Sequence, residues 1–135
     1  MTPVLIDSNV LLDILTADPR WKDWSASALT AVADHARIVI NPIIFAEISV
    51  GYDHIEDLEE ALPLEFIERE PLPYEAAFLA GKVFLAYRRR GGQKTSPLPD
   101  FFIGAHASVM GYRLLTRDPK HYRTYFPKVN MIAPE

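Results

Sequence analysis

The sequence predicts an α/β fold, with a mostly parallel sheet covered by helices on both faces. Three observations carry that reading. Short apolar, β-favouring runs recur near Val4 to Ile6, Arg37 to Ile40, Leu64 to Ile67, Tyr112 to Leu115 and Lys128 to Ile132. Stretches with helical spacing separate these runs. Most of the 11 prolines fall where one element should end and the next begin.

In chain order, Val4 to Ile6 is followed by polar Asp7, Ser8 and Asn9, and an apolar stretch then resumes at Val10, Leu11 and Leu12 with helical character. A continuous apolar run before a helix signal reads as a fully buried parallel strand. Asp7 then stands at its carboxyl end, where open α/β sheets bind ligands. Asp18-Pro19 marks a turn, and Trp21 to Ala36 reads as a helix with Trp24, Ala28, Ala31 and Val32 near helical spacing. After the second strand, Asn41-Pro42 combines an N-cap with proline at the first helical position, opening a helix to about Gly51. A further helix spans Ile55 to Leu62 before Pro63, and the third strand follows. Pro73 opens the longest helix, Tyr74 to about Arg90, closed by Gly91-Gly92. A polar loop to Pro97 leads into a helix from Pro99-Asp100 to Met110, and Asp118-Pro119 starts another between the last two strands. One domain spanning residues 1–135 is expected.

A chain of 135 residues that is 49% hydrophobic can bury a core without disulfides or a structural metal. It has no cysteine, which excludes thiol catalysis and thiolate metal sites and fits a reducing cytosol. The first residues lack a basic segment and a long apolar segment, so no secretion signal is expected. No apolar run approaches the ~18 residues of a spanning helix. The expectation is a soluble, cytoplasmic protein with no membrane partner.

The net charge of −4 ordinarily argues against a nucleic-acid partner, but its distribution is uneven. Eight acids and one base, Arg69, lie between Asp53 and Glu70. From Ala76 to Pro99 there is no acid, while Lys82, Arg88, Arg89, Arg90 and Lys94 are basic. An acidic flank and a basic one are expected.

Four acids stand in settings made for burial or for a strand end. Glu47 is the only charged residue between Arg37 and Asp53, amid Ile43, Ile44, Phe45, Ile48 and Val50. It either occupies an exposed stripe or needs a partner, because a lone buried glutamate is costly. Asp100 shares a helix stripe with Ile103, Gly104 and Ala107, which points it inward; an ordinary acid at a helix amino end is the alternative. Asp118 closes the strand Arg113 to Thr116, and as the residue before Pro119 it could equally be a plain N-cap. If that strand neighbours the first, Asp118 and Asp7 lie close together. Clustered carboxylates cannot all stay ionised unless a cation holds them. An all-oxygen donor set suits Mg²⁺ or Mn²⁺ rather than zinc.

Val4-Leu-Ile-Asp7-Ser-Asn9-Val-Leu-Leu-Asp13, Phe45-Ala-Glu47, Pro97-Leu-Pro-Asp100-Phe-Phe-Ile-Gly-Ala-His106-Ala107 and Leu114-Leu-Thr116-Arg-Asp118 resemble the conserved blocks of PIN-domain ribonucleases. Within that family they are most similar to VapC-type toxins of type II toxin–antitoxin pairs. The blocks occur in the family's order from residue 4 to residue 118. The resemblance implies an α/β/α sandwich with a parallel sheet of about five strands. It also implies a metal-dependent endoribonuclease that acts on RNA, a cognate antitoxin and a homodimer. Asp7, Glu47, Asp100 and Asp118 match the family's acids, and Ser8 or Asn9 and Thr116 match its small polar positions. The segment from Asp53 to Pro73 and the loop before Asp100 match nothing diagnostic.

On this reading one or two Mg²⁺ or Mn²⁺ ions supply phosphodiester hydrolysis without a catalytic histidine or lysine. Asp7 is the central ligand, Asp100 and Asp118 complete the site, and Glu47 binds directly or through water. Asn9 and Thr116 orient the carboxylates by hydrogen bonds. Arg88, Arg89 and Arg90 form either a solvated helix end favoured by the dipole or a phosphate-gripping rim assisted by Lys94 and Arg117. His106 and His121 lack metal-ligand spacing and read as structural, and Trp21, Trp24, Phe101 and Phe102 read as core or interface.

Three rivals differ at named positions. A phospho-acceptor receiver domain wants two adjacent acids after the first strand and an aspartate closing a middle one, whereas here Asp7 is single and Ile40 is followed by Asn41. A phosphatase with an aspartate nucleophile wants Asp-x-Asp rather than Asp7-Ser8-Asn9. A catalytically weak PIN-like module that binds RNA or protein is disfavoured by the presence of all four acids.

Overall fold

The computed structural model describes residues 2–62 and 65–135. Its elements in chain order are β1 (Val4–Ile6), α1 (Ser8–Leu15), α2 (Lys22–Ala33), β2 (Ile38–Ile40), α3 (Pro42–Ser49), α4 (Ile55–Ala61), β3 (Ile67–Arg69), α5 (Tyr74–Arg89), α6 (Pro99–Met110), β4 (Arg113–Leu115), α7 (Lys120–Tyr125) and β5 (Met131–Ile132). No described helix is long and apolar enough to cross a membrane.

The five strands form one sheet in the order β3-β2-β1-β4-β5, and every pairing is parallel. β1 is central. Val4 is level with Ile38 on one side and with Arg113 on the other, and Ile6 is level with Leu115. All three residues of β1 and of β2 are buried. Successive side chains point to opposite faces, so complete burial requires helices on both faces. The chain winds outward from β1 through β2 to β3, then returns to lay β4 and β5 on the other side. The order reverses between β1 and β4, and there the carboxyl ends of two strands border the crevice in which such sheets take ligands.

Asn41 is an N-cap as its sequence setting predicts: its side-chain oxygen accepts the Ile44 N–H at 2.9 Å, with proline opening α3. At the end of α5, the Gly91 N–H reaches the Arg88 carbonyl and the Gly92 N–H the Tyr87 carbonyl, both at 3.0 Å. Gly91 adopts φ 90°, the left-handed turn that such a helix stop needs. The third strand differs from expectation. It runs from Ile67 to Arg69, later than the Leu64 to Ile67 segment, of which Leu64 lies outside the described residues. As an edge strand β3 buries only Ile67 and exposes Glu68 and Arg69, so the apolar run misplaces it.

α6 packs against α5, α3, α7 and β4, and it comes close to the end of α7 at Gly104. A Cβ there would lie 2.4 Å from ring atoms of buried Phe126. On an exposed helix Gly→Ala gains up to about 1 kcal/mol. Here Gly104→Ala should instead destabilise by about 1–3 kcal/mol through overpacking, read as a lower urea midpoint with an unchanged slope.

Candidate active site

Asp7 occupies the N-cap position of α1 with an extended backbone, yet its carboxylate makes no cap hydrogen bond. It turns instead toward β4 and α7. Oδ2 accepts the hydroxyl of Thr116 at 2.9 Å, the hydroxyl of Tyr122 at 2.9 Å and the Asn9 amide at 3.3 Å. Thr116 Oγ1 spends its one proton on Asp7 and accepts from Asn9 Nδ2 at 3.2 Å and from the Asp118 N–H at 3.1 Å. The Arg117 N–H closes the ring on Asn9 Oδ1 at 3.3 Å. The end of β4 is thereby fastened to the end of β1.

Oδ1 of Asp7 is left nearly bare. Its one partner among the described residues is Ser8 Oγ at 3.5 Å, and Ser8 has a better acceptor in Glu47 Oε1 at 2.8 Å. That hydrogen bond decides between the two accounts of Glu47: it is half-buried and partnered across 39 residues of sequence. Asp100, in the first turn of α6, approaches Asp7 from the Oδ2 side, through Tyr122. Its Oδ1 lies 3.4 Å from the Tyr122 hydroxyl, and its Oδ2 lies 3.3 Å from His121 Nδ1. Asp7 is thereby linked to Glu47 through Ser8 and to Asp100 through Tyr122. Asp118 does not join them directly: it is exposed, and only its backbone is tied in, through Thr116.

Burial is the main force on these groups. It pushes the carboxyl of Asp7, 3% exposed, up to about 6, opposed by the Tyr122 hydrogen bond, raised further by the Asp100 charge, opposed by Thr116 and raised by Glu47. Glu47 is raised by burial too, eased by Ser8 and raised by Asp100. The Tyr122 phenol is driven well above its usual value, by burial first and then by Asp7 and Asp100, so it stays protonated and donates. Among the described residues no basic side chain pairs with Asp7 or Glu47. An uncompensated, all-oxygen set of this kind fits a hard divalent cation in its chemistry. The set is not a closed cage: among the described residues no three His, Asp or Glu side chains are grouped so as to hold an ion.

Of the basic candidates, Arg88 and Arg89 form the last turn of α5 and Arg90 follows it. Arg88 Nη1 donates to the Lys94 carbonyl at 2.8 Å, and the Arg90 guanidinium lies over Tyr125 of α7. All four side chains, Arg88, Arg89, Arg90 and Lys94, are exposed. Arg117 is different. Its Nε donates to Asp13 at 2.8 Å, and its guanidinium covers Trp21, which makes it the least free of the five.

Sequence reasoning gives no site role to three residues, one of which, His121, it reads as structural. Asp13, 2% exposed, takes hydrogen bonds from Ser25 and Arg117 and so anchors the turn that carries Thr116 and Asp118. It is a lone acid among Leu11, Leu12, Ile14 and Leu15, the same signal that singles out Glu47. His121 reaches Asp100 from α7, and Tyr122 touches two of the acids. No spacing rule marks either one, because both come from an element that only the fold brings to the site. His106 is fully buried between Asn41 and Glu70, away from the acids.

A family model described as PIN domain matches residues 4–127. No curated protein matches the chain. Among solved structures, VapBC2 from Rickettsia felis bound to a promoter DNA fragment aligns over 98% of each chain at 19% identity, with a TM-score of 0.75. VapBC-1 from nontypeable Haemophilus influenzae aligns over 96% of each chain at 16% identity and TM-score 0.72. A toxin–antitoxin complex from Klebsiella pneumoniae aligns over 98% of each chain at 22% identity and TM-score 0.70. At these identities the likeness is one of fold.

The raised carboxyl of Asp7 has a consequence for stability. Between about pH 4 and pH 6 the folded chain binds a proton that the unfolded chain releases, so stability falls as pH rises through that window and stays lower above it. Asp7→Asn removes the cost. It should stabilise the protein at pH 7 by about 3 kcal/mol, the gain fading below about pH 4, as read from urea unfolding across pH.

Proposed function

We propose that this chain, which belongs to the PIN-domain family, is a metal-dependent endoribonuclease and the toxin of a type II toxin–antitoxin pair. The observation that carries the reading is the open Oδ1 of Asp7 at the strand-order reversal, flanked by Glu47 and Asp100 and faced by no basic side chain among the described residues.

Asp7, Glu47 and Asp100 would hold Mg²⁺ or Mn²⁺, one or two ions, with Asp118 contributing from the rim. When bound, the cation supplies an activated water, neutralises the scissile phosphate and stabilises the leaving oxygen. The chain's own groups prepare the place. Thr116 and Asn9 fix Oδ2 of Asp7 so that Oδ1 faces the crevice, and Ser8 holds Glu47 beside it. The exposed Arg88, Arg89, Arg90 and Lys94 grip flanking phosphates of the RNA, offsetting the repulsion of the acids. Arg117, paired with Asp13, steadies the Thr116–Asp118 turn rather than reaching outward.

One solved neighbour is a toxin–antitoxin complex, and a cognate antitoxin is the proposed protein partner here, together with a homodimer and a cytoplasmic setting. One observation favours a binding module instead, namely that the acids do not close into a cage. Cleavage separates the two readings. The purified chain with Mg²⁺ or Mn²⁺ should cut a structured RNA pool into discrete products that vanish with chelator and with Asp7→Asn. RNA binding without cleavage would establish the module and refute the nuclease.

The rim makes a separate prediction. Replacing Arg88, Arg89 and Arg90 with glutamine should weaken RNA binding and flatten the dependence of log K on log salt by about 0.7 for each single-strand phosphate no longer neutralised. The cut pattern should persist at saturating RNA.

A further inference from the structure

Tyr122 is the largest fully buried side chain in the molecule among the described residues, 1% exposed, and its hydroxyl ends between two acids. It lies 2.9 Å from Asp7 Oδ2 and 3.4 Å from Asp100 Oδ1. A phenol has one proton to donate, and both carboxylates can accept it: the 2.9 Å contact to Asp7 Oδ2 is the stronger bond and the 3.4 Å contact to Asp100 Oδ1 the weaker alternative for the same proton. The ring is clamped by burial on α7, which packs against α6, the helix that carries Asp100. α7 thus reaches both carboxylates through a single atom.

We propose that Tyr122 is a positioning residue of the cation site, its hydroxyl holding Asp7 by Oδ2 and setting Asp100 one hydroxyl away, so that the two acids face a common point. This rests on the reading of those acids as cation ligands. A partner that orients a ligating carboxylate contributes about 10- to 100-fold to metal affinity. Tyr122 differs from Thr116 and Asn9, which also hold Oδ2, because it alone among these donors touches a second acid.

The test is calorimetric titration with Mn²⁺ of the wild type, Asp7→Asn and Tyr122→Phe, which keeps the ring and removes only the hydroxyl. Tyr122→Phe should bind Mn²⁺ at least about 10-fold more weakly while its circular dichroism spectrum stays that of the wild type. Equal affinity in wild type and Tyr122→Phe, with binding lost in Asp7→Asn, would overturn the role of Tyr122 and leave the cation site standing. No binding by the wild type would overturn the cation site, and this inference with it. If Tyr122→Phe does not fold, the wild type still decides. Mg²⁺ must perturb a buried tyrosine in the ultraviolet difference spectrum, and an unchanged spectrum at saturating Mg²⁺ would overturn the inference.

Discussion

The carboxylate of Asp7, buried where β1 and β4 end side by side, is the constraint on which the rest of the site depends. An ionisable group taken so far out of water needs donors, and those within reach come from three different elements. Asn9 comes from α1, Thr116 from the end of β4 and Tyr122 from α7. Each is a neutral donor, so the charge is solvated without being cancelled. A guanidinium in the same place would have stabilised the fold and removed the reason for a cation to bind. Arg117, which directly follows Thr116, is instead held by Asp13.

The helix that brings Glu47 is secured by a second polar network. Asn41 uses its oxygen on the Ile44 N–H, so its amide group faces His106 Nδ1 at 2.9 Å. Nδ1 must then accept, which leaves the proton on Nε2, directed at Glu70 3.2 Å away. Glu70 also takes the Tyr112 hydroxyl. The chain Tyr112, Glu70, His106, Asn41 joins the ends of β2 and β3 to α3 and α6. A satisfied buried network of this kind fixes one arrangement where an apolar core would tolerate several. It explains why a fully buried histidine on α6 serves structure.

How much is legible in the sequence differs by element. The order of strands and helices, the Asn41-Pro42 cap and the glycine stop of α5 are written locally, in proline and glycine positions and in apolar spacing. β3 is misplaced because an edge strand needs only one buried residue, and the sequence offers a longer apolar run just before it. At the site, Asp7 announces itself as the acid ending a buried strand, and Glu47 as a lone charge on an apolar helix. Asp13 carries the same signal as Glu47, a lone acid on an apolar helix, yet it is given no role there. Tyr122 carries none, and the spacing of His121 points away from a site role, since both act only once α7 is packed against α6 with its side chains on Asp7 and Asp100. Asp118 shows the converse. Its place after a strand puts it near Asp7 in sequence logic, and the strands are indeed neighbours, yet its side chain is exposed while its backbone does the linking.

Anomalous diffraction from crystals grown with Mn²⁺ tests most directly whether Asp7, Glu47 and Asp100 share one cation. The predicted result is a peak within coordination reach of Asp7 Oδ1 and Asp100 and within one water of Glu47, whether or not a second ion lies beside it. A peak elsewhere, or none at this crevice at saturating Mn²⁺, would contradict the shared site.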